Sequence, residues 1–186
     1  MTRTVIVGLT SLAVLATAGA AQSQPAAPAA PAAPPSGVGA SVIQVIEKAC
    51  TPLIHGQTIK SVAAAVGLKR SHDDWILPLS GVEQITLSPP TAANPTVCTL
   101  NVSYEVDQTK PLVDALTGWA AAQTPPLAAQ DAGYQLSPGV MSWSWASDTP
   151  QTHEALVFNA QRTPDGKPLG RNADVGVVLF SLKPGS

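Results

Sequence analysis

The sequence is short of charge, of aromatic side chains and of cysteine. Charged residues make up 12% of its 186 positions, ten basic against twelve acidic, and the densest basic run is the pair Lys69-Arg70. A surface so sparsely and evenly charged cannot neutralise a phosphate backbone or hold to an anionic bilayer, so nucleic acid and membrane surfaces are poor partners. Four tryptophans, two tyrosines and two phenylalanines are all the aromatic rings available, so each carries weight in a core or a binding surface. Several signatures of catalytic chemistry are also missing. There is no G-x-S-x-G nucleophile turn and no phosphate-binding G-x-x-x-x-G-K-[ST]. "GVGASV" lacks the third glycine and the preceding strand of a dinucleotide fold. "THEALVF" has Val157 where a zinc-binding H-E-x-x-H needs its second histidine. Its strand-like pattern also turns His153 and Glu154 to opposite faces. No metal or cofactor is expected, although a site assembled from distant residues stays open.

What is present begins with a leader. Arg3 precedes an uncharged apolar run from Val5 to Ala16, and Ala18-Gly19-Ala20 follows. A charged start, an apolar middle and a small-residue cleavage site predict a secretory signal peptide over residues 1–20. The run is short for a bilayer span. Loss of Arg3 with the leader leaves nine basic against twelve acidic side chains. Residues 21–40, with "PAAPAAPAAPP", are predicted to be a Pro/Ala-rich linker without a core, extended in the polyproline manner. Residues 41–186 have the size of one globular domain.

Within that domain Ser41 and Gln44 fit a capping box, which predicts a first helix from about 42 to 50 that Pro52 ends. Ile59, Val62, Ala63 and Val66 make the apolar face of a second helix, closed by Gly67 as a left-handed cap with Leu68 folding back. A third starts near Thr109, tolerates Pro111 in its first turn, and buries Leu112, Val113, Leu116, Trp119 and Ala120. Strands follow from alternation: a run from "DWILPL" to Ser88, then "TVCTLNVSYEV", then segments near 140–146, 153–161 and 175–182. The expected fold is α+β, an antiparallel sheet of about five strands with three helices packed on it.

The two cysteines can then be placed. Cys50 ends an amphipathic helix near its buried side, and Cys98 shares the buried face of a strand with Leu100, Val102 and Tyr104. In an oxidising compartment a helix-to-sheet disulfide is the simplest account, with a free reactive thiol and a metal ligand as the alternatives. Closing a loop of 48 residues corresponds to about 4 kcal/mol in the loop-entropy picture. His55 is then an ordinary loop histidine.

Two stretches offer candidate sites. In "KRSHDDW", His72, Asp73 and Asp74 stand together in a loop, where imidazole beside carboxylates offers a general base or a cation site, or else a solvated loop answering Lys69 and Arg70. In "VMSWSWAS", alternation sends Met141, Trp143 and Trp145 to one face, either as a platform for a sugar ring or peptide or as core mass. Trp75 and Trp119 read as core.

"ACTPLIHG", "AAAVGL", "NPTVCTLNVSYEVD" and "GWA", spread over roughly residues 45–121, resemble small exported alphaproteobacterial proteins of unassigned activity. The resemblance implies a periplasmic setting with the paired cysteines oxidised, and it carries over no catalytic or binding residue. The functional expectation is an exported, non-enzymatic domain that binds a peptide, glycan or protein partner. A small hydrolase using His72 or His153 with a carboxylate and an inhibitor of another exported enzyme are the alternatives.

Overall fold

The computed structural model describes residues 37–72 and 74–184. The leader, most of the Pro/Ala segment and Asp73 lie outside them. The described chain is α+β, built on one eight-stranded antiparallel sheet in the order β1-β2-β3-β4-β8-β7-β6-β5. The strands are β1 Lys69–Ser71, β2 Asp74–Pro78, β3 Gln84–Ser88, β4 Val97–Glu105, β5 Ala128–Ser137, β6 Val140–Asp148, β7 Thr152–Gln161 and β8 Ala173–Pro184.

The expected count of about five strands is too low for two physical reasons. The run read as one strand folds back at Ser80–Glu83 into β2 and β3. In addition, β1 and β5 are edge strands with no buried alternation to read. β1 is three exposed residues. β5 loses register with β6 between Ala129 and Asp131, between Ala132 and Tyr134, and between Gln135 and Ser137. Each break shifts the side-chain period, so no alternation survives in the sequence.

The first helix also departs from expectation. α1 begins at Gly37 and runs to Val45, taking in the last residues of the segment read as linker. Ser41 is therefore inside the helix, its hydroxyl directed back to the Gly37 carbonyl, and not at its cap. Gly39 explains the early start: a Cβ there would lie 2.7 Å from the Ala115 Cβ, so only glycine lets α1 press this closely on α4, Thr109–Ala122. Beyond Val45 the helix widens into a π-turn, Ile46–Cys50, and continues as α2, Thr51–Ile54, through Pro52. The wide turn answers the problem that proline poses. The Thr51 N–H bonds to the Ile46 carbonyl five residues back, and Pro52 sits in the first turn of α2, where its missing N–H costs little. α3, Ile59–Val66, is as expected, with Thr58 capping its start and Gly67 at φ 78° closing it while the Leu68 N–H returns to the Ala63 carbonyl at 2.9 Å.

All four helices contribute to one core on a single face of the sheet. Its strand side is Ile85, Leu87, Cys98, Leu100, Val102, Tyr104, Leu156, Phe158, Val178 and Phe180. Val42, Val45, Ile46, Ala49, Leu112, Leu116 and Ala120 cover it from the helices. The Cys50–Cys98 disulfide joins the π-turn to β4 with 5.5 Å between Cα atoms, and both residues are fully buried. Trp119 lies edge-on to Phe180 and donates its indole N–H to Glu47 at 2.9 Å, tying α4 to the π-turn. The opposite face carries no helix among the described residues, and across β4, β8, β7 and β6 it presents the row Asn101, Val177, Asn159 and Ser142. No helix of the described residues is long and apolar enough to cross a membrane.

Candidate functional site

The sheet order separates the two stretches singled out in the sequence. His72 and Asp74 belong to the β1–β2 edge, and Trp143 belongs to β6, next to the opposite edge. The segment read as a loop is a tight hairpin: Ser71 pairs with Asp74, and His72 takes a positive φ of 55° at the turn. Arg70 donates from Nε to the His72 carbonyl at 3.0 Å. His72 and Asp74 are exposed, and Asp73 lies outside the described residues.

Trp145 and Trp143 do point to one face, as alternation requires, yet their surroundings differ. Trp145 is 3% exposed, opposite Leu156 in the core, and has no surface to offer a partner. Trp143 is half-buried, opposite Phe158 on β7, and its ring stacks on that phenylalanine with centroids 5.7 Å apart and planes at 21°. Two glycines make this stack possible. A Cβ on Gly176 of β8 would fall 2.5 Å from the Phe158 ring, and one on Gly133 of β5 would fall 2.7 Å from the Trp143 indole nitrogen. Bare backbone on both sides thus fixes the indole.

Trp143 forms part of the wall of a cavity of about 440 Å³, together with Met141, Gln135, Thr109, Arg162 and the turn at Thr163–Gly166. This lies within the usual size range of small-molecule sites. The cavity exists because two reversals meet. The β5–β6 turn presents Gly139 at φ 80°, and its carbonyl accepts the Arg162 N–H at 2.7 Å; any Cβ on Gly139 would lie 2.3 Å from the Arg162 carbonyl oxygen. Met141, 38% exposed, stands on this wall opposite Gln135, whereas the exposed Tyr134 pairs with Ser142 and so faces the other side of the sheet.

Behind the cavity wall stands an ion cluster that the sequence did not disclose. Asp174 is fully buried and accepts from Arg162 Nη2 at 2.6 Å. It also accepts the backbone N–H of Asp107 at 3.4 Å, and the Asp107 carboxylate stands 3.6 Å from the same guanidinium. Asp174 thereby ties the β4–α4 turn to the end of β7. The hydrogen bond to Asp174, above all, raises the Arg162 pKa beyond its already high ordinary value, so Arg162 is a permanent cation. Next to the cluster, burial raises the Tyr104 pKa, partly offset by the hydrogen bond between its hydroxyl and Thr109 at 3.2 Å. Arg162 and Asp174 were not legible as a pair, because only the β7–β8 loop brings them together.

The histidine expected beside a carboxylate is found at the far end of the same strands. His153 Nδ1 contacts the Asp148 carboxylate across the β6–β7 turn, and both line a second cavity of about 500 Å³ with Ser147 and Gln130. Glu154, its neighbour in sequence, faces away as the strand pattern requires, and burial raises its pKa. Asp148 is exposed to water and His153 is half-buried. Among the described residues no group of three or more His, Cys, Asp or Glu side chains is arranged to hold a metal ion.

No family model, curated protein or solved structure matches the chain.

Proposed function

We propose that this is an exported, periplasmic binding domain without catalytic activity, and that its ligand enters the cavity walled by Trp143 and Met141. The carrying observation is the coincidence, at one hairpin end, of a 440 Å³ cavity, a half-buried indole held by its surroundings, and the exposed Met141 and Gln135 on the same wall. A pre-formed aromatic wall with a few polar groups is the common design of a small-ligand site, since little ordering is needed on binding. The oxidised cysteine pair supports an extracytoplasmic setting. The test is thermal melting of the purified domain with a panel of cell-envelope glycans and peptides. A ligand at one hundred times its Kd stabilises by about 2.7 kcal/mol. Such a shift, lost in Met141→Ala, supports the reading, and ligand-induced shifts unaffected by Met141→Ala and Gln135→Ala count against it.

A second reading rests on His153. Its pairing with Asp148 leaves the other ring nitrogen to act as a base toward a water in the second cavity, which is the arrangement a small hydrolase needs. Hydrolysis of ester, peptide or cell-wall substrates that is abolished by His153→Ala would favour it, and turnover equal in wild type and variant would remove it.

A further inference from the structure

We propose that the sheet face without helices is a self-association surface, on which a second copy of this chain packs face to face with its strand ends reversed. The proposal is independent of both cavities. Its first support is the pattern of β8, a central strand of the sheet. An antiparallel sheet with one face in water alternates apolar inward with polar outward, whereas a strand that is apolar on both faces is the mark of one covered on both. β8 buries Val178 and Phe180 beneath the helices, yet Val175, Val177 and Leu179 stand on its outward face, and β7 sets Val157 beside Leu179. No helix of the described residues covers this strip.

The second support is what surrounds the strip. Thr99, Asn101 and Ser103 of β4 flank it on one side, and Asn159 and Gln161 of β7 on the other. These hydroxyls and carboxamides carry no charge, so a second such surface can close over them without stranding an ion. Tyr134 of β5, 43% exposed and opposite Ser142, extends the face toward the sheet edge. Tyrosine is among the residues enriched in contact surfaces.

The third selects the partner. On β3, β4, β8, β7 and β6 the charged side chains of this face stand only at strand ends, Glu105 at one end and Lys183, His153 and Asp148 at the other. Asp148 and His153 answer each other. Neither Glu105 nor Lys183 has an ion-pair partner among the described residues. A two-fold axis lying between two such faces and perpendicular to the strands lays each Glu105 over the end that carries the other copy's Lys183, twice by symmetry. Because β4 and β8 are neighbours, the sideways offset is one strand spacing, about 4.8 Å, which a lysine side chain spans. An axis parallel to the strands would set like end on like end and leave both charges unanswered.

The experiment is sedimentation equilibrium of the full-length mature protein over a dilution series from about 100 μM to about 1 μM, with thermal melting of each variant to show that it is folded. Wild type should reach twice the monomer mass at the upper end. Leu179→Lys, which places a charge in the strip, should raise the dimer dissociation constant by about tenfold or more. Glu105→Lys and Lys183→Glu, both at exposed positions, should each raise it about fivefold, and the two together should return it to within about twofold of wild type. Wild type that stays monomeric throughout overturns the proposal and leaves the face to a different partner. A dimer untouched by Leu179→Lys and by both single exchanges places self-association elsewhere and overturns it equally. Loss in both single variants without recovery in the double one contradicts the reversed arrangement.

Discussion

Removing the Cys50–Cys98 bridge tests how the two layers are held together. The bond closes a loop across 48 residues, joining the π-turn to the centre of the sheet. Restricting the unfolded chain by a loop of that length contributes about 4 kcal/mol at 25 °C. For a domain of this size 1 kcal/mol shifts Tm by about 2–4 °C, so reduction should lower it by roughly 8–16 °C. Two samples separate the contributions. Protein reduced in denaturant and refolded keeps both sulfur atoms in the core, so it reports the loop term alone. Cys50→Ala/Cys98→Ala also loses the packing of two fully buried sulfurs and should be less stable still, by about 1–2 kcal/mol. Urea denaturation of oxidised, reduced and doubly substituted protein, with thiol counts on each, gives both numbers. If reduced protein with two free thiols unfolds within 1 kcal/mol of the oxidised form, the loop-closure account is wrong.

Arg162→Ala leaves Asp174 as a buried charge without its cation, and should cost about 3 kcal/mol in urea denaturation. Adding Asp174→Asn to it should recover part of that loss, which a double-mutant cycle would record as coupling. Gly176→Ala drives a methyl into the Phe158 ring and should destabilise by about 1–3 kcal/mol while altering Trp143 emission through the disturbed stack; unchanged emission would break the proposed link. Burial raises the folded-state pKa of Glu154 above its ordinary value near 4.5, so the folded protein takes up its proton first as pH falls. The ionised group therefore costs stability at neutral pH, and that cost disappears as pH drops through the raised pKa toward the ordinary one. Glu154→Gln should be more stable than wild type at pH 7 and lose that advantage at lower pH; a constant difference across this range would refute the assignment.

Where burial was one-sided, the sequence could be read. β4 alternates cleanly because Cys98, Leu100, Val102 and Tyr104 all face the helices, and α3 and α4 show one apolar stripe each for the same reason. The bridge followed from placing both cysteines on those buried faces. Elsewhere tertiary contact decided. Gly37-Val38-Gly39 looks like linker by composition, and becomes helix because Gly39 admits Ala115 and Val38 is buried. A proline that ends most helices is accommodated at Pro52 by a π-turn that no local pattern announces. The paired tryptophans showed their shared face but not their different depths, since the edge strand β5 and the β7–β8 loop determine which of them meets solvent. Arg162 and Asp174 stand twelve residues apart across an irregular loop, a separation without a period to detect.

The most direct test of the central claim is to follow the four indole N–H resonances of isotopically labelled protein during titration with the panel of cell-envelope glycans and peptides. The account predicts that the Trp143 signal moves with saturation while that of buried Trp145 stays in place. A titration in which Trp143 is unmoved, or in which only Trp75 or Trp119 responds, would contradict the assignment of this cavity as the ligand site.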